Sequence, residues 1–539
     1  MSIPYADALR RLDPGAAPVL RAGLPAAAEL LAEFHPDQRH GAVAALRVGV
    51  NRGQSCRREL ADLLEANALI DDLDLAGAES AETDVLVIGG GGAGAAAALQ
   101  AARGGARVTL ACKLRLGDSN TVMAEGGIQA SLGADDSPQR HFEDTLRGGH
   151  FDGERGLIAQ MVGDAPGLVR WLIEQGVQFD RSADGSGLLR KRGGGCSAAR
   201  VLSHGDFTGL ELMRVLREAV ELQPGVAVLN RCPAVELLSH SDGSCAGAVL
   251  YDLERERFLL LRARSVILAT GGSGRLHLAG FATSNHYGAT ADGLVLAYRM
   301  GARLRELDSF QFHPTGLAYP AHLAGSLVSE AARANGALLL NGEGQRFVDE
   351  LAPRDVVSAA ILRECAQGRG VERDGCLGVL LDTPRLAAAR PGCLQRELSS
   401  LAHLAAKTGD DPAVAPLLVH PTLHYQNGGV AIDGDGASGV TGLYCVGELA
   451  GGIHGRNRLM GNALLDVLSF GRRAGAHAAT AALAAPRQAP GAQPRGGIDH
   501  VLQWQRQLAR AGLAGLGRAP LLYPAYGQFE LRGRAASAQ

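Results

Sequence analysis

Gly89, Gly91 and Gly94 stand in a Gly-x-Gly-x-x-Gly run, and each has a physical task. The first permits a tight turn, the second lets a pyrophosphate approach the backbone, and the third lets a helix pack closely on a strand. Gly92 lies inside the run, where the helix that follows offers free N–H groups and a positive dipole end to an anion. The chemistry served is dinucleotide binding. Context makes the signal specific: the apolar, β-branched run Asp84–Ile88 precedes it as a strand, and an alanine-rich helix continues to about Arg103. A second strand over Ala106–Cys112 completes a βαβ unit. It ends Ala111-Cys112-Lys113, without the acid that would take a ribose 2′-OH, so that contact must come from elsewhere. Glycine turns also stand at Gly126-Gly127 and Gly271-Gly272, and Gly447-Glu448 closes a strand over Gly442–Val446. Several such turns in one chain favour a large, extended cofactor such as FAD over a transient nicotinamide.

Other elements must position that cofactor. Residues 1–80 alternate between helix-like and loop-like stretches and carry no evident chemistry. Helices are predicted from about Gln139 to Glu174, behind Asp136 and Ser137 as caps, and again over Leu210–Leu222. Strands alternate from Val226 to Leu268, the last running into Gly271-Gly272. Between 303 and 425 the pattern turns mixed and reads as an insertion, after which a glycine-rich strand pattern resumes at Gly428 and ends in a helix over Asn462–Ala482. Residues 485–497 read as a linker to one short helix and a tail.

Glycine makes up 73 of the 539 residues, roughly twice the usual share. No three-residue period supports collagen, and 46% hydrophobic residues with a net charge of −3 argue against wholesale disorder. With 53 basic and 56 acidic residues the chain lacks the footprint of a nucleic-acid binder. Its nine cysteines form no Cys-x-x-Cys pair and no metal-ligand spacing, so we expect no metal or iron–sulfur centre in the chain and read them as reduced cytosolic thiols. Arg10-Arg11 is followed by no apolar stretch of a signal peptide. The apolar run Val85–Leu99 falls short of the ~20 residues of a spanning helix and is broken by glycines, so we expect a cytoplasmic protein with no membrane span, peripheral at the inner face of a membrane only through partners.

From about Thr83 to Ala476 the chain resembles the flavoprotein subunits of the succinate dehydrogenase/fumarate reductase family, which also includes L-aspartate oxidase. The resemblance rests on ordered segments: Asn120-Thr121-Val122-Met123-Ala124-Glu125-Gly126-Gly127-Ile128, Ala269-Thr270-Gly271-Gly272, Phe312-His313-Pro314-Thr315-Gly316, Leu351-Ala352-Pro353-Arg354-Asp355-Val356-Val357, His424-Tyr425-Gln426-Asn427-Gly428-Gly429 and His454-Gly455-Arg456-Asn457-Arg458-Leu459. It implies an α/β fold, a Rossmann-like FAD-binding domain interrupted by an α+β capping domain. On that frame residues 1–80 are an N-terminal helical extension, 81–302 and 426–484 the two parts of the FAD-binding domain, 303–425 the capping domain, and 485–539 the linker, helix and tail.

The family implies the site as well. Reducing fumarate requires a hydride from the flavin, a proton on the other alkene carbon, and a grip on two carboxylates, for which the bidentate fork of arginine is suited. By resemblance His313, Ser329, His424 and Arg458 bind substrate, Ser329 keeping the hydroxyl of the usual threonine, and Arg354 is the proton donor or acceptor. An arginine with a pKa near 12.5 needs help from an acid or relay, and Asp355 is its neighbour in sequence. Cofactor contacts carried over the same way are Gly89, Gly91, Gly92, Gly94, Lys113, Asn120, Thr121, Gly126, Gly127, Asp292, Glu448, Ala463 and Leu464. Glu448 would reach the FAD ribose and so offset the acid missing from the second strand.

Some positions depart from the family. Asn120 stands where membrane-bound members carry the histidine that bonds FAD, so non-covalent FAD is expected, with a lower potential that favours fumarate reduction. Glu143 matches a glutamate that in L-aspartate oxidase contacts the amino group of the substrate, whereas Gly316 is typical of succinate/fumarate members. Interconversion of fumarate and succinate is the favoured reading, and L-aspartate oxidation is the alternative. The family's long C-terminal helical domain is reduced here, and the N-terminal segment is a candidate compensation. Electrons would come from a separate iron–sulfur subunit or a soluble carrier, or else from the substrate itself.

Overall fold

A computed structural model describes residues 2–524 except 13–17, 22, 72–74, 76–77, 186, 486–495 and 516. Most of the expected 485–497 linker and the tail beyond 524 therefore lie outside the described residues. Two large sheets organise the rest.

The first, seven-stranded sheet runs in the order 234–239, 245–252, 257–268, 79–88, 108–111, 226–229. The nucleotide unit lies in its parallel half, where Glu79–Ile88 is flanked by Arg257–Leu268 and Val108–Ala111. Val85 to Ile88 are all buried, as expected of a parallel strand covered on both faces. Arg257–Leu268 changes partner along its length: its first half pairs antiparallel with Cys245–Asp252, and its last residues pair parallel with Leu443–Cys445. That switch brings Gly447-Glu448 beside Gly271-Gly272 at one end of the sheet.

Helix Gly92–Arg103 buries nearly its whole alanine surface. It packs against Asn462–Ala484, where a Cβ at Gly475 would come within 2.3 Å of the Ala97 carbonyl oxygen. Small residues on both helices thus allow the backbones to touch, which accounts for part of the glycine excess. Arg155–Glu174 covers the same face, and Asp292–Arg299 with Arg58–Leu64 covers the other.

The second sheet has six strands, ordered 3–4, 371–373, 376–382, 417–426, 310–317, with Leu338–Leu340 added on 376–382. All but the first strand come from the stretch between 303 and 426. The N-terminal segment is more than helical: Ile3–Pro4 joins this sheet parallel to Val371–Glu372, and Ser55–Arg57 pairs with Val43–Ala45. It also touches both sheets' surroundings. Helix Ala27–Phe34 buries Leu30 in the core under the second sheet, while Tyr298 on the first donates to the Val48 carbonyl. Among the described residues, no helix is long and apolar enough to cross a membrane and no group of side chains could hold a metal ion.

Candidate active site

Strand Phe310–Leu317 carries Gln311 and His313 on the same face, because residues two apart in a strand point the same way. It pairs antiparallel with Leu417–Gln426, which carries His424. Arg354 opens helix Arg354–Ala366, held by the Pro353 that precedes it, and Ser329 caps Glu330–Ala334 by accepting from the Ala331 N–H. Arg458 lies in the loop before helix Asn462–Ala484.

These elements bring His313, His424, Arg354 and Arg458 together. The His313 and His424 rings meet edge-on with centroids 5.3 Å apart. Burial drives both well below the usual imidazole pKa, and the Arg354 charge pushes them further, so both rings are neutral. His313 Nδ1 accepts from the Thr315 N–H at 3.3 Å, which leaves the ring proton on Nε2 as a donor. His424 Nδ1 is 2.8 Å from Ser284 Oγ. Arg458 lies over the Tyr425 ring at 4.4 Å, and burial followed by the charge of Arg354 lowers its pKa to about 10.

Two buried guanidiniums repel, and Gln311 holds them together. Its Oε1 accepts from Arg354 Nη1 and from Arg458 Nη2, each at 3.1 Å, while its Nε2 donates to Asn457 Oδ1 and the Arg458 carbonyl. The acid on Arg354 is Glu330, not Asp355. Arg354 Nε donates to Glu330 Oε2 at 3.0 Å, the Gly194 N–H donates to Oε1, and Arg333 lies 3.6 Å away. Burial alone would raise the carboxyl, but Arg354 and Arg333 with the Gly194 N–H outweigh it and hold Glu330 at about 2. Asp355 faces the other way, bonded to His150 at 2.6 Å and to Asn457. Sequence reasoning missed Gln311, Glu330 and Arg333. Their signals were the two-residue step from Gln311 to His313 and the i, i+3 spacing of Glu330 and Arg333.

Every residue singled out above as a cofactor or substrate contact lines one cavity of about 1370 Å³, except Gly94 and Glu143. Gly94 serves packing: a Cβ there would sit 1.8 Å from the Gly89 oxygen. Glu143 lies on the exposed face of helix Pro138–Gly148, where Gln139 donates to it at 2.8 Å. The structure does not bring it to the other substrate residues.

The cavity fits FAD. It exceeds the ~300–1,000 Å³ of common ligand pockets, leaving room for a cofactor and a substrate. Helices Gly92–Arg103 and Asn462–Ala484 both begin at its wall without a side-chain cap, leaving N–H groups for a pyrophosphate. Thr270 Oγ1, also on the wall, is buried without a partner. Ala463 and Leu464 stand at the start of the second helix, and Gly126, Gly127 and Thr121 line the facing wall. Asn120 donates to Asn285 at 2.8 Å and to Glu448 at 3.1 Å and accepts from the His286 N–H. Glu448 thus sits on the Asn120 side of the cavity. The acid found at the end of the second strand is Asp292, paired with Lys113 at 2.6 Å.

The FAD binding domain family matches residues 84–464. The CoM/CoB-type fumarate reductase flavoprotein relative from Methanothermobacter marburgensis, named as one subunit of that enzyme, is 40% identical over 76% of this chain and 75% of its own length. An L-aspartate oxidase from Streptomyces coelicolor is 36% identical over 77% of this chain and 72% of its own. Among solved structures, the quinol fumarate reductase of E. coli superposes with a TM-score of 0.72 at 30% identity, covering 80% of this chain and 75% of that one.

Proposed function

This chain belongs to the FAD binding domain family and binds FAD, and on that premise we propose that it is the flavoprotein of a fumarate reductase/succinate dehydrogenase, acting on C4-dicarboxylates. The observation that carries this reading is the buried convergence of two neutral imidazoles and two arginines bridged by Gln311. Bound FAD supplies the hydride donor or acceptor. His313 through Nε2, His424, Ser329 and Arg458 grip the substrate carboxylates in a site that excludes water. Arg354 passes the proton. Glu330 keeps it charged between turnovers and, lying between Arg354 and Arg333, is placed to return a proton to it.

FAD is held non-covalently, since an amide at Asn120 cannot form the bond that a histidine would. The Methanothermobacter relative is named as one subunit of its enzyme, which supports delivery of electrons by a separate iron–sulfur chain, with this chain cytoplasmic and at a membrane only through such a partner.

The second reading, L-aspartate oxidase, is favoured by the Streptomyces relative. Against it, Glu330, the carboxylate hydrogen-bonded to the cluster, already has both oxygens engaged, and Glu143 lies outside, so a substrate ammonium finds no free anion there. Titrating the oxidised holoprotein with malonate and with L-aspartate tests the choice. Malonate is expected to perturb the flavin spectrum and L-aspartate to leave it unchanged, and the reverse pattern would overturn the reading.

A further inference from the structure

Lys113 follows the second strand of the nucleotide unit, the place where such units receive the adenosine ribose of a dinucleotide. Its ammonium donates to the Gly288 carbonyl at 2.8 Å, Thr290 Oγ1 at 2.7 Å and Asp292 Oδ2 at 2.6 Å. The other oxygen of Asp292 accepts from Thr290 Oγ1 at 2.9 Å and from the Leu522 N–H at 3.2 Å. Leu522 comes from the C-terminal segment, beyond the 84–464 match.

That segment is fixed in place. Leu522 is fully buried beside Ala68, Val235, Leu238 and Tyr251, and it holds φ at +61°, which a leucine adopts only when its surroundings enforce it. Ala519 pairs with Ala68, and its carbonyl accepts from Arg299 at 2.7 Å. The next residue along, Tyr523, places its ring centroid 5.9 Å from Lys113 Nζ and 6.1 Å from the Tyr287 ring. With Arg231 and Leu253 it walls a small cavity of about 430 Å³. Leu114, Arg115 and Asp118 line both this cavity and the main one, so the two adjoin at the Lys113 end.

We propose that the C-terminal segment Arg518–Pro524 closes the adenosine end of the FAD site, Tyr523 forming its outer wall and the Leu522 N–H fixing the Asp292 carboxylate. The inference rests on placing the adenosine half at Lys113. The carboxylate that the second strand lacks is supplied by Asp292 and held in register from one side by Lys113 and from the other by a segment 230 residues further along the chain. A wall there acts on the adenosine half only, so it favours FAD over FMN without altering the flavin end.

Dissociation constants of FAD and FMN, read from flavin fluorescence on the full apoprotein, test this. Tyr523→Ala is expected to weaken FAD about fivefold and leave FMN unchanged, and a chain ending at Pro520 to weaken FAD at least as much. Melting of each apo variant separates loss of the wall from loss of fold, and Tyr523→Ala decides the matter if the shortened chain does not fold. Unchanged FAD affinity in Tyr523→Ala, or equal loss of FAD and FMN, would overturn the proposal. Lys113→Met is the control for its premise: if that variant keeps the preference for FAD, the adenosine end is misplaced, whereas if it loses the preference and Tyr523→Ala keeps it, the C-terminal wall alone is refuted.

Discussion

Arg354 and Glu330 form an ion pair at 3.0 Å with both side chains at most 10% exposed, although 24 residues separate them in sequence. Arg333 stands behind Glu330, so the pair continues into a row of alternating charges leading away from the substrate residues. An arginine asked to give up a proton needs such a neighbour, since its ordinary pKa leaves it charged at any pH the protein meets.

Glu330→Gln keeps the shape of this row and removes its charge. Arg354 retains its bond to Gln311, so substrate binding should survive while proton return fails. Fumarate reduction is expected to fall in kcat by about a hundredfold or more with little change in KM. Steady-state kinetics check this, and an effect confined to KM would reassign Glu330 to binding.

Stability should fall as the medium turns acidic. Burial holds His35 and His141 at about 4 and His313, His424 and His454 below their usual pKa. A histidine kept neutral in the fold binds its proton in the unfolded chain first, so stability is lost as pH drops from about 6.5 toward 4. His150, raised by its bond to Asp355, works in the opposite sense, but it is one group against five. The melting temperature should therefore be lower at pH 5 than at pH 7.5.

Glu236 and Arg299 form a wholly buried ion pair at 2.7 Å, and Arg299 also donates to carbonyls of Asn67 and Ala519. One guanidinium thus ties the N-terminal and C-terminal segments to the first sheet. Glu236→Ala strands that charge and should cost about 3–5 kcal/mol in denaturant unfolding, more than Glu236→Gln, which keeps a hydrogen-bond acceptor.

Acid precipitation of the holoprotein should release all flavin into the supernatant, because both polar atoms of the Asn120 side chain are engaged by Asn285, Glu448 and His286 and neither can bond to it covalently. Yellow colour retained on the polypeptide would contradict this.

The nucleotide unit was legible in the sequence because its signals are local: a β-branched run, glycines at fixed offsets and an alanine helix lie within about 20 residues of each other. His313, His424, Arg354 and Arg458 could be named by resemblance, yet nothing in their spacing reveals that one glutamine bridges the two arginines. That contact depends on a strand, a helix start and a loop meeting in space. Asp355 illustrates the limit, since adjacency to Arg354 at a helix start sends the two side chains in different directions. The N-terminal segment read as chemically blank, and its role in joining the second sheet depends on long-range pairing of Ile3 with Val371 that no local pattern encodes. Likewise the acid at Lys113 comes from Asp292, brought there by a helix from a distant part of the chain.

The central claim is that the buried imidazole and arginine cluster acts on a C4-dicarboxylate without an amino group. Turnover of one holoprotein preparation, measured as fumarate reduction by reduced viologen and as peroxide formation from L-aspartate with oxygen, tests it most directly. Rapid fumarate reduction without peroxide is the expected result. Peroxide formation from L-aspartate with negligible fumarate turnover would contradict it.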